Sequence, residues 1–261
     1  MRALIFEGNT KERNAYRLAN GVISSCEIFK NEITDINENI TCDFAYPTNV
    51  DYMCLDEKTL QQYDYVFWTG CCLNAYDKSD EVLQQIEQAK IVFKSGVPYY
   101  GSCWGLQIAV MASGGMVAPC INGIEFGVAK NITLTDKGKI HPMMVDRVCN
   151  YASYCVHTAE VSILPLNASI LAFNAHSKVQ AIEIKHDGGI FWGVQYHPEF
   201  DSYDMEKSIQ RGRETYLENG LILENETASM SLKRMMWGFE HDLVQSIRMQ
   251  EIKNFINHFK K

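Results

Sequence analysis

The chain alternates short apolar runs with longer segments whose apolar residues recur at spacings of three and four. Ala3 to Phe6 reads as a first strand, and Lys11 to Phe29 as an amphipathic helix. Ile40 to Tyr46 reads as a second strand. Tyr65-Val66-Phe67-Trp68-Thr69 is a β-rich run stopped by Gly70. Ser79 is placed to cap a long amphipathic stretch reaching Lys94, which Ser95-Gly96 would end. Val97 to Tyr100 forms another short strand and leads into Gly101-Ser102-Cys103-Trp104-Gly105. A helix from Leu106 to Ala112 follows and stops at Gly114-Gly115. Strands and helices in this alternation predict an α/β fold, a parallel sheet with helices on its faces.

The pattern changes from Val128 to Val194. Short β-like runs with turn residues dominate there: 131–134, 162–164, 170–173, 179–184 and 190–195, with His186-Asp187-Gly188-Gly189 as a hairpin turn. After Phe200 the chain turns helical and charged. Asp204 to Leu217 and Ser231 to Phe259 read as two helices around a turn at Asn219-Gly220. The expected organisation is one main domain over residues 1–200, with 201–261 a helical extension packed on the same domain.

Composition narrows the class. With 46% apolar and 21% charged residues in 261, the chain suits a globular protein with one main core. No apolar run approaches the roughly 18 residues that a membrane-crossing helix needs, and the N-terminus lacks the long apolar region of a signal peptide. The net charge of −8 gives no support for nucleic acid or an anionic membrane as partner. Nine cysteines, an odd number at scattered spacings and with no C-x-x-C pair, argue against a zinc ribbon or a thioredoxin-type motif. Reduced thiols in a cytoplasm are the simplest expectation.

The strongest chemical signal is Gly101-Ser102-Cys103-Trp104-Gly105, set between strand and helix. G-x-C-x-G is the thiol version of a nucleophile elbow. A tight strand-to-helix turn crowds the backbone, and glycine on either side removes side chains that would clash. The turn lifts the sulfur out of the sheet and places it at a helix N-terminus, which favours thiolate. Far downstream stands Trp192-Gly193-Val194-Gln195-Tyr196-His197-Pro198-Glu199-Phe200. A cysteine nucleophile needs a base that can later protonate the leaving amine, and histidine does both near neutral pH. Glu199 lies two residues on, on the same side of an extended segment that Pro198 stiffens, so it is placed to orient the imidazole of His197.

These residues carry a resemblance. Gly101-Ser102-Cys103-Trp104-Gly105-Leu106-Gln107 resembles the nucleophile motif of class I glutamine amidotransferases. Gly193-Val194-Gln195-Tyr196-His197-Pro198-Glu199 resembles their G-V-Q-[FY]-H-P-E motif almost letter for letter. Glu125-Phe126-Gly127 looks like a segment of the GMP synthase branch, and the helical extension resembles stand-alone, GMP-synthase-like amidotransferases. The resemblance spans residues 65 to 200. It implies an open, mostly parallel sheet flanked by helices, and hydrolysis of a glutamine side-chain amide through a γ-glutamyl thioester on Cys103, with His197 and Glu199 completing a triad. No metal or organic cofactor is needed for that half-reaction.

It also implies an oxyanion hole of backbone N–H groups. Trp104 would give one. The other would come from Thr69-Gly70-Cys71-Cys72, standing where the family often has S-G-G-P, through Gly70 and Cys71. Cys71 in place of glycine and Cys72 in place of proline leave packing, or a second reactive thiol, as the rival roles of this pair. Gln107 matches a substrate-holding glutamine. Tyr154-Cys155-Val156-His157-Thr158 loosely resembles the substrate-contacting H-[GS] segment and puts Thr158 at the α-amino-acid end.

No Walker-type phosphate loop is present, so an ATP-dependent synthetase that took up the ammonia would be a separate chain. The extension then serves either as a docking surface for it or as a cover for the sheet edge. Three readings follow in order: a glutaminase supplying ammonia to such a partner; a γ-glutamyl hydrolase or peptidase using the same chemistry on γ-glutamyl compounds; and a non-catalytic regulatory or scaffold protein that kept the fold.

Overall fold

Eight β-branched or aromatic residues among Arg2–Phe6 (β1), Thr41–Ala45 (β2) and Tyr65–Trp68 (β3) favour extended backbone, and the three strands pair in parallel about β1. The computed structural model describes residues 1–260. Tyr99–Ser102 (β4) joins β3, and Gly189–Val194 (β11) joins β4, both in parallel. The sheet continues through Ala181–His186 (β10), Ala168–Phe173 (β9), Glu125–Leu134 (β6) and Asn150–His157 (β7), each pairing antiparallel with its neighbour. The order is β2-β1-β3-β4-β11-β10-β9-β6-β7, and β10 and β6 run against the other strands of this open, mostly parallel sheet. Met116–Pro119 (β5) and Ala159–Ile163 (β8) form a separate two-stranded sheet.

Helices cover both faces. Lys11–Ala19 (α1), Ser25–Ile36 (α2), Glu57–Leu60 (α3), Asp80–Ser95 (α4), Trp104–Ala112 (α5) and Asp136–Lys139 (α6) precede β7. Ser202–Arg211 (α7), Arg213–Glu218 (α8), Ala228–Met236 (α9), Gln245–Arg248 (α10) and Gln250–His258 (α11) follow β11. The apolar faces of α4 and α5 pack on Leu4, Val66, Tyr99 and Phe191. On the other face, Phe29 of α2 and Ile252, Phe255 and Ile256 of α11 meet Ile5, Phe67, Tyr100 and Trp192. Met205 and Ile209 of α7 and Leu232 and Met235 of α9 form a third cluster with Phe126 and Tyr154. No helix among the described residues is long and apolar enough to cross a membrane.

Several expectations change, among them the helix over 204–217, which is divided at Gly212 into α7 and α8. The helix over 11–29 is two helices. Gly21 is left-handed at φ 74°, and Ser24 opens α2 with a capping box to Glu27, so the chain restarts at a new angle. The helix over 231–259 breaks at Gly238, where φ is 83°. Strands β5 and β7 were not foreseen. In β7 the polar Ser153 and His157 are as buried as their neighbours, which blurs the alternation a strand shows when one face is wet. The hairpin stands as read: Asp187 and Gly188 both have positive φ, joining β10 to β11.

Candidate active site

The site is built where β4 stops. Cys103 follows Ser102 at φ 50° and ψ −101°, a backbone conformation that L-residues avoid. The turn has no slack. A Cβ on Gly101 would lie 2.8 Å from the Cα of Gly105, and one on Gly105 would lie 2.5 Å from the carbonyl oxygen of Trp68. The Cys103 amide donates to the Val194 carbonyl at 2.8 Å, tying the elbow to β11. The sulfur points across to β7, with Sγ 3.7 Å from the Val156 carbonyl. Trp104 opens α5 behind it, so its amide has no acceptor within the helix. The indoles of Trp68 and Trp104 both donate to Gln85 Oε1, at 3.1 and 2.8 Å, which fixes the floor under the turn.

The second strand end brings the imidazole. His197 Nδ1 lies 2.7 Å from Glu199 Oε1, both side chains being buried, which leaves Nε2 for the hydrogen bond to the Cys103 side chain. Burial alone would lower the histidine pKa. The Glu199 carboxylate and the Cys103 sulfur outweigh it, and the imidazole is raised to about 10. The ring stacks on Phe200 at 4.1 Å with its plane 2° away, and its backbone amide donates to Tyr154 at 2.7 Å. Sulfur, imidazole and carboxylate thus stand in the order that nucleophilic acyl transfer uses.

Sequence reasoning missed several supports. Ser102 Oγ donates to Glu199 Oε1 at 2.9 Å, so the residue before the thiol also holds the carboxylate. Its place inside the G-S-C-W-G motif was the available signal. Arg248 of α10 donates to the carbonyl of Pro198, between His197 and Glu199, and pairs with Glu32 of α2. Nothing in the sequence joins residue 248 to residue 198.

The turn at Gly70-Cys71-Cys72 lies against the imidazole: a Cβ on Gly70 would meet His197 Cε1 at 2.6 Å. Asn9 clamps this turn, donating to the Gly70 carbonyl at 3.2 Å and accepting from the Cys72 amide at 3.3 Å. The paired thiols differ. Burial pushes Cys71 well above the usual thiol range. The hydrogen bond with Cys71, with help from Arg13 and Arg17, brings Cys72 down to about 6 against its own desolvation. Gln107 is buried, and its Nε2 donates to the Ala159 carbonyl at 3.0 Å, joining α5 to the β7–β8 turn. Thr158 is exposed on that turn.

All eight residues read from the sequence except Trp104 line one cavity of about 240 Å³, or, for Glu199, stand directly behind it through His197. The cavity runs past the thiol to Arg13, Arg17, Phe200 and Arg211, none of which the sequence had suggested.

Comparison with known proteins bears on the family and the fold. Residues 31–213 match the model of the family described as glutamine amidotransferase class-I. A γ-glutamyl-L-1-hydroxyisopropylamide hydrolase from a Pseudomonas species is 35% identical over 84% of this chain and 75% of its own length. A glutamine-hydrolysing GMP synthase from Francisella tularensis subsp. novicida is 30% identical over 64% of this chain, which spans 28% of that protein. A glutamine amidotransferase structure from Thermotoga maritima superposes with a TM-score of 0.71 over 99% of this chain and 97% of its own, at 14% identity, and so speaks to the fold.

Proposed function

The chain belongs to the class I glutamine amidotransferase family, and from that premise we propose that this amidohydrolase cleaves γ-glutamyl amides whose leaving amine is larger than ammonia. The observation that carries the reading is the cavity itself, which continues beyond the Cys103–His197 pair to the wall formed by α1 and α7. Ammonia leaves nothing to fill that space. The hydrolase relative in Pseudomonas, by its name, acts on a γ-glutamyl amide of this kind. The sequence places glutamine first and γ-glutamyl compounds second; the extent of the cavity and the hydrolase relative support the second reading.

In the proposed reaction Cys103 Sγ attacks the γ-carbonyl carbon. The carbonyl oxygen becomes an oxyanion, received by the amides of Trp104 and of the Gly70-Cys71 turn. The carbon–nitrogen bond breaks as His197 gives its proton to the departing amine, leaving a γ-glutamyl thioester. Water then attacks that carbon with His197 taking its proton, and thiol and glutamate are released. Glu199 holds the Nδ1 proton throughout, fixing which ring nitrogen faces the sulfur. Gln107 and Thr158 border the end of the cavity assigned to the glutamyl α-carbon.

Glutamate release by the purified protein from glutamine and from γ-glutamyl dipeptides and amino-alcohol amides tests the reading, with Cys103→Ala as control. Higher kcat/KM for the substituted amides is expected. Glutamine as the best substrate would favour ammonia supply to a separate ATP-dependent synthetase, and Cys103-independent release would reject the assignment of the nucleophile.

A further inference from the structure

The far wall of the cavity carries more positive charge than the proposed reaction uses. Arg13 and Arg17 project from α1 and Arg211 from the last turn of α7. Arg17 gives Nε and Nη2 to the Ile23 carbonyl, at 3.3 and 3.1 Å, and has Glu7 and Asp204 near it. Arg211 has no such outlet: its Nε and Nη1 are buried without a hydrogen-bond partner. No carboxylate among the described residues forms an ion pair with Arg13 or Arg211, and the Arg13 guanidinium lies 5.3 Å from the centre of the Tyr16 ring. A desolvated guanidinium beside two others is unfavourable unless an anion shares the space. Burial, then Arg17 and Arg13, bring Arg211 down to about 10, in keeping with that crowding.

The side of the thiol on which this wall stands decides what it would bind. Arg13 and Arg17 act on Cys72, whose turn presses Gly70 against His197 Cε1. Phe200, stacked on the imidazole, leads into the helix that ends at Arg211. The arginines therefore share a wall with the base. Gln107 and the β7–β8 turn lie on the other side, where the sulfur meets the Val156 carbonyl. His197 must face the departing nitrogen, so whatever that nitrogen carries extends toward the arginines.

We propose that Arg13 and Arg211 form a carboxylate-binding subsite for the leaving amine, making the preferred substrates γ-glutamyl amino acids or peptides with a free carboxylate next to the scissile amide. The inference rests on the γ-glutamyl amide reading and refines it. Guanidinium matches carboxylate in charge and in planar, two-pronged hydrogen bonding. A neutral amino-alcohol amide would fill the same volume and leave the Arg211 guanidinium without a partner.

The test compares γ-glutamyl-L-alanine with γ-glutamyl-L-alaninol, which differ by a carboxylate against a hydroxymethyl group. Wild-type kcat/KM should favour the acid by about tenfold or more, the worth of one charge-assisted hydrogen bond. Arg211→Gln, and independently Arg13→Gln, should collapse that ratio toward unity. Calorimetric binding of both compounds to the Cys103→Ala protein reads the same preference without turnover. Equal treatment of acid and alcohol by the wild type overturns the subsite, as does a ratio that neither substitution moves. Losing both compounds equally on substitution also overturns it, since the arginines would then serve the glutamyl carboxylate common to both. Failure of the underlying reaction looks different: binding discriminates in the Cys103→Ala protein, while the wild type releases no glutamate.

Discussion

At the scale of single residues, the site depends on atoms that are missing. Gly70 has no side chain where one would strike the imidazole at 2.6 Å. Gly70→Ala is expected to push His197 off the line between Glu199 and the sulfur, lowering kcat about a hundredfold, in keeping with the sensitivity of catalysis to a misplacement near 1 Å. The melting temperature should move little, because the clash falls on a side chain at the cavity wall. Steady-state kinetics beside a thermal melt checks both halves, and loss of fold in place of loss of rate would contradict it. Gly105 is a different case. Its imagined Cβ meets backbone of β3, which cannot yield, so alanine there should cost folding itself.

At the scale of elements, the tail is held to the sheet by charge as well as by apolar contact. Glu251 of α11 takes two hydrogen bonds from Arg147, both at 2.8 Å, and one from Tyr196 of the segment leading to His197. Glu251 is fully buried and Arg147 nearly so. Glu251→Ala leaves the guanidinium stranded, so a loss of about 3–5 kcal/mol is expected in urea unfolding. Replacing both partners by apolar residues should lose clearly less than the two single changes added together, and simple additivity would argue against the pair.

A second device spans β10, β11 and the loop at His141. Glu183 Oε2 receives Trp192 Nε1 at 3.0 Å and meets His141 Nε2 at 3.1 Å. The His141 bond, then Trp192 and Lys185, hold its carboxyl down at about 2 despite some burial. A depressed carboxyl stabilises the fold above its unfolded pKa near 4.5 and surrenders that contribution as pH falls toward 2. Stability should therefore decline through that window, and less steeply in Glu183→Gln, which urea titrations at successive pH values would read.

The sequence made the elements of the parallel half legible because those strands are short, apolar and punctuated by Gly70, Gly96 and Gly101. It disclosed thiol, imidazole and carboxylate because each sits in a constrained local motif. It hid Asn9, Arg13, Arg211 and Arg248, because a polar residue on an amphipathic helix or in a loop reads as solvated until packing gives it a neighbour. Arg248 meets Pro198 across fifty residues, with no local pattern to announce it.

At the scale of the whole molecule, we propose that residues 1–200 and 201–261 form a single folding unit. Ile252, Phe255 and Ile256 sit inside the cluster that covers one face of the sheet, and α7 and α9 complete a third cluster against β6 and β7. Calorimetry should give one transition with matching calorimetric and van't Hoff enthalpies. A chain ending at residue 200 should lack cooperative unfolding and bind hydrophobic dyes, having lost the cover from strands rich in Phe, Tyr and Trp. A stable, cooperative truncated protein would separate the two parts.

The clamp from Arg248 onto Pro198 has a bearing on biosynthesis. Translation delivers the thiol first, the imidazole nearly a hundred residues later, and the guanidinium that steadies the imidazole loop fifty residues after that. A nascent polypeptide thus carries its sulfur for well over a hundred residues of elongation before a proton acceptor is secured beside it, so hydrolytic competence waits on the emergence of residue 248.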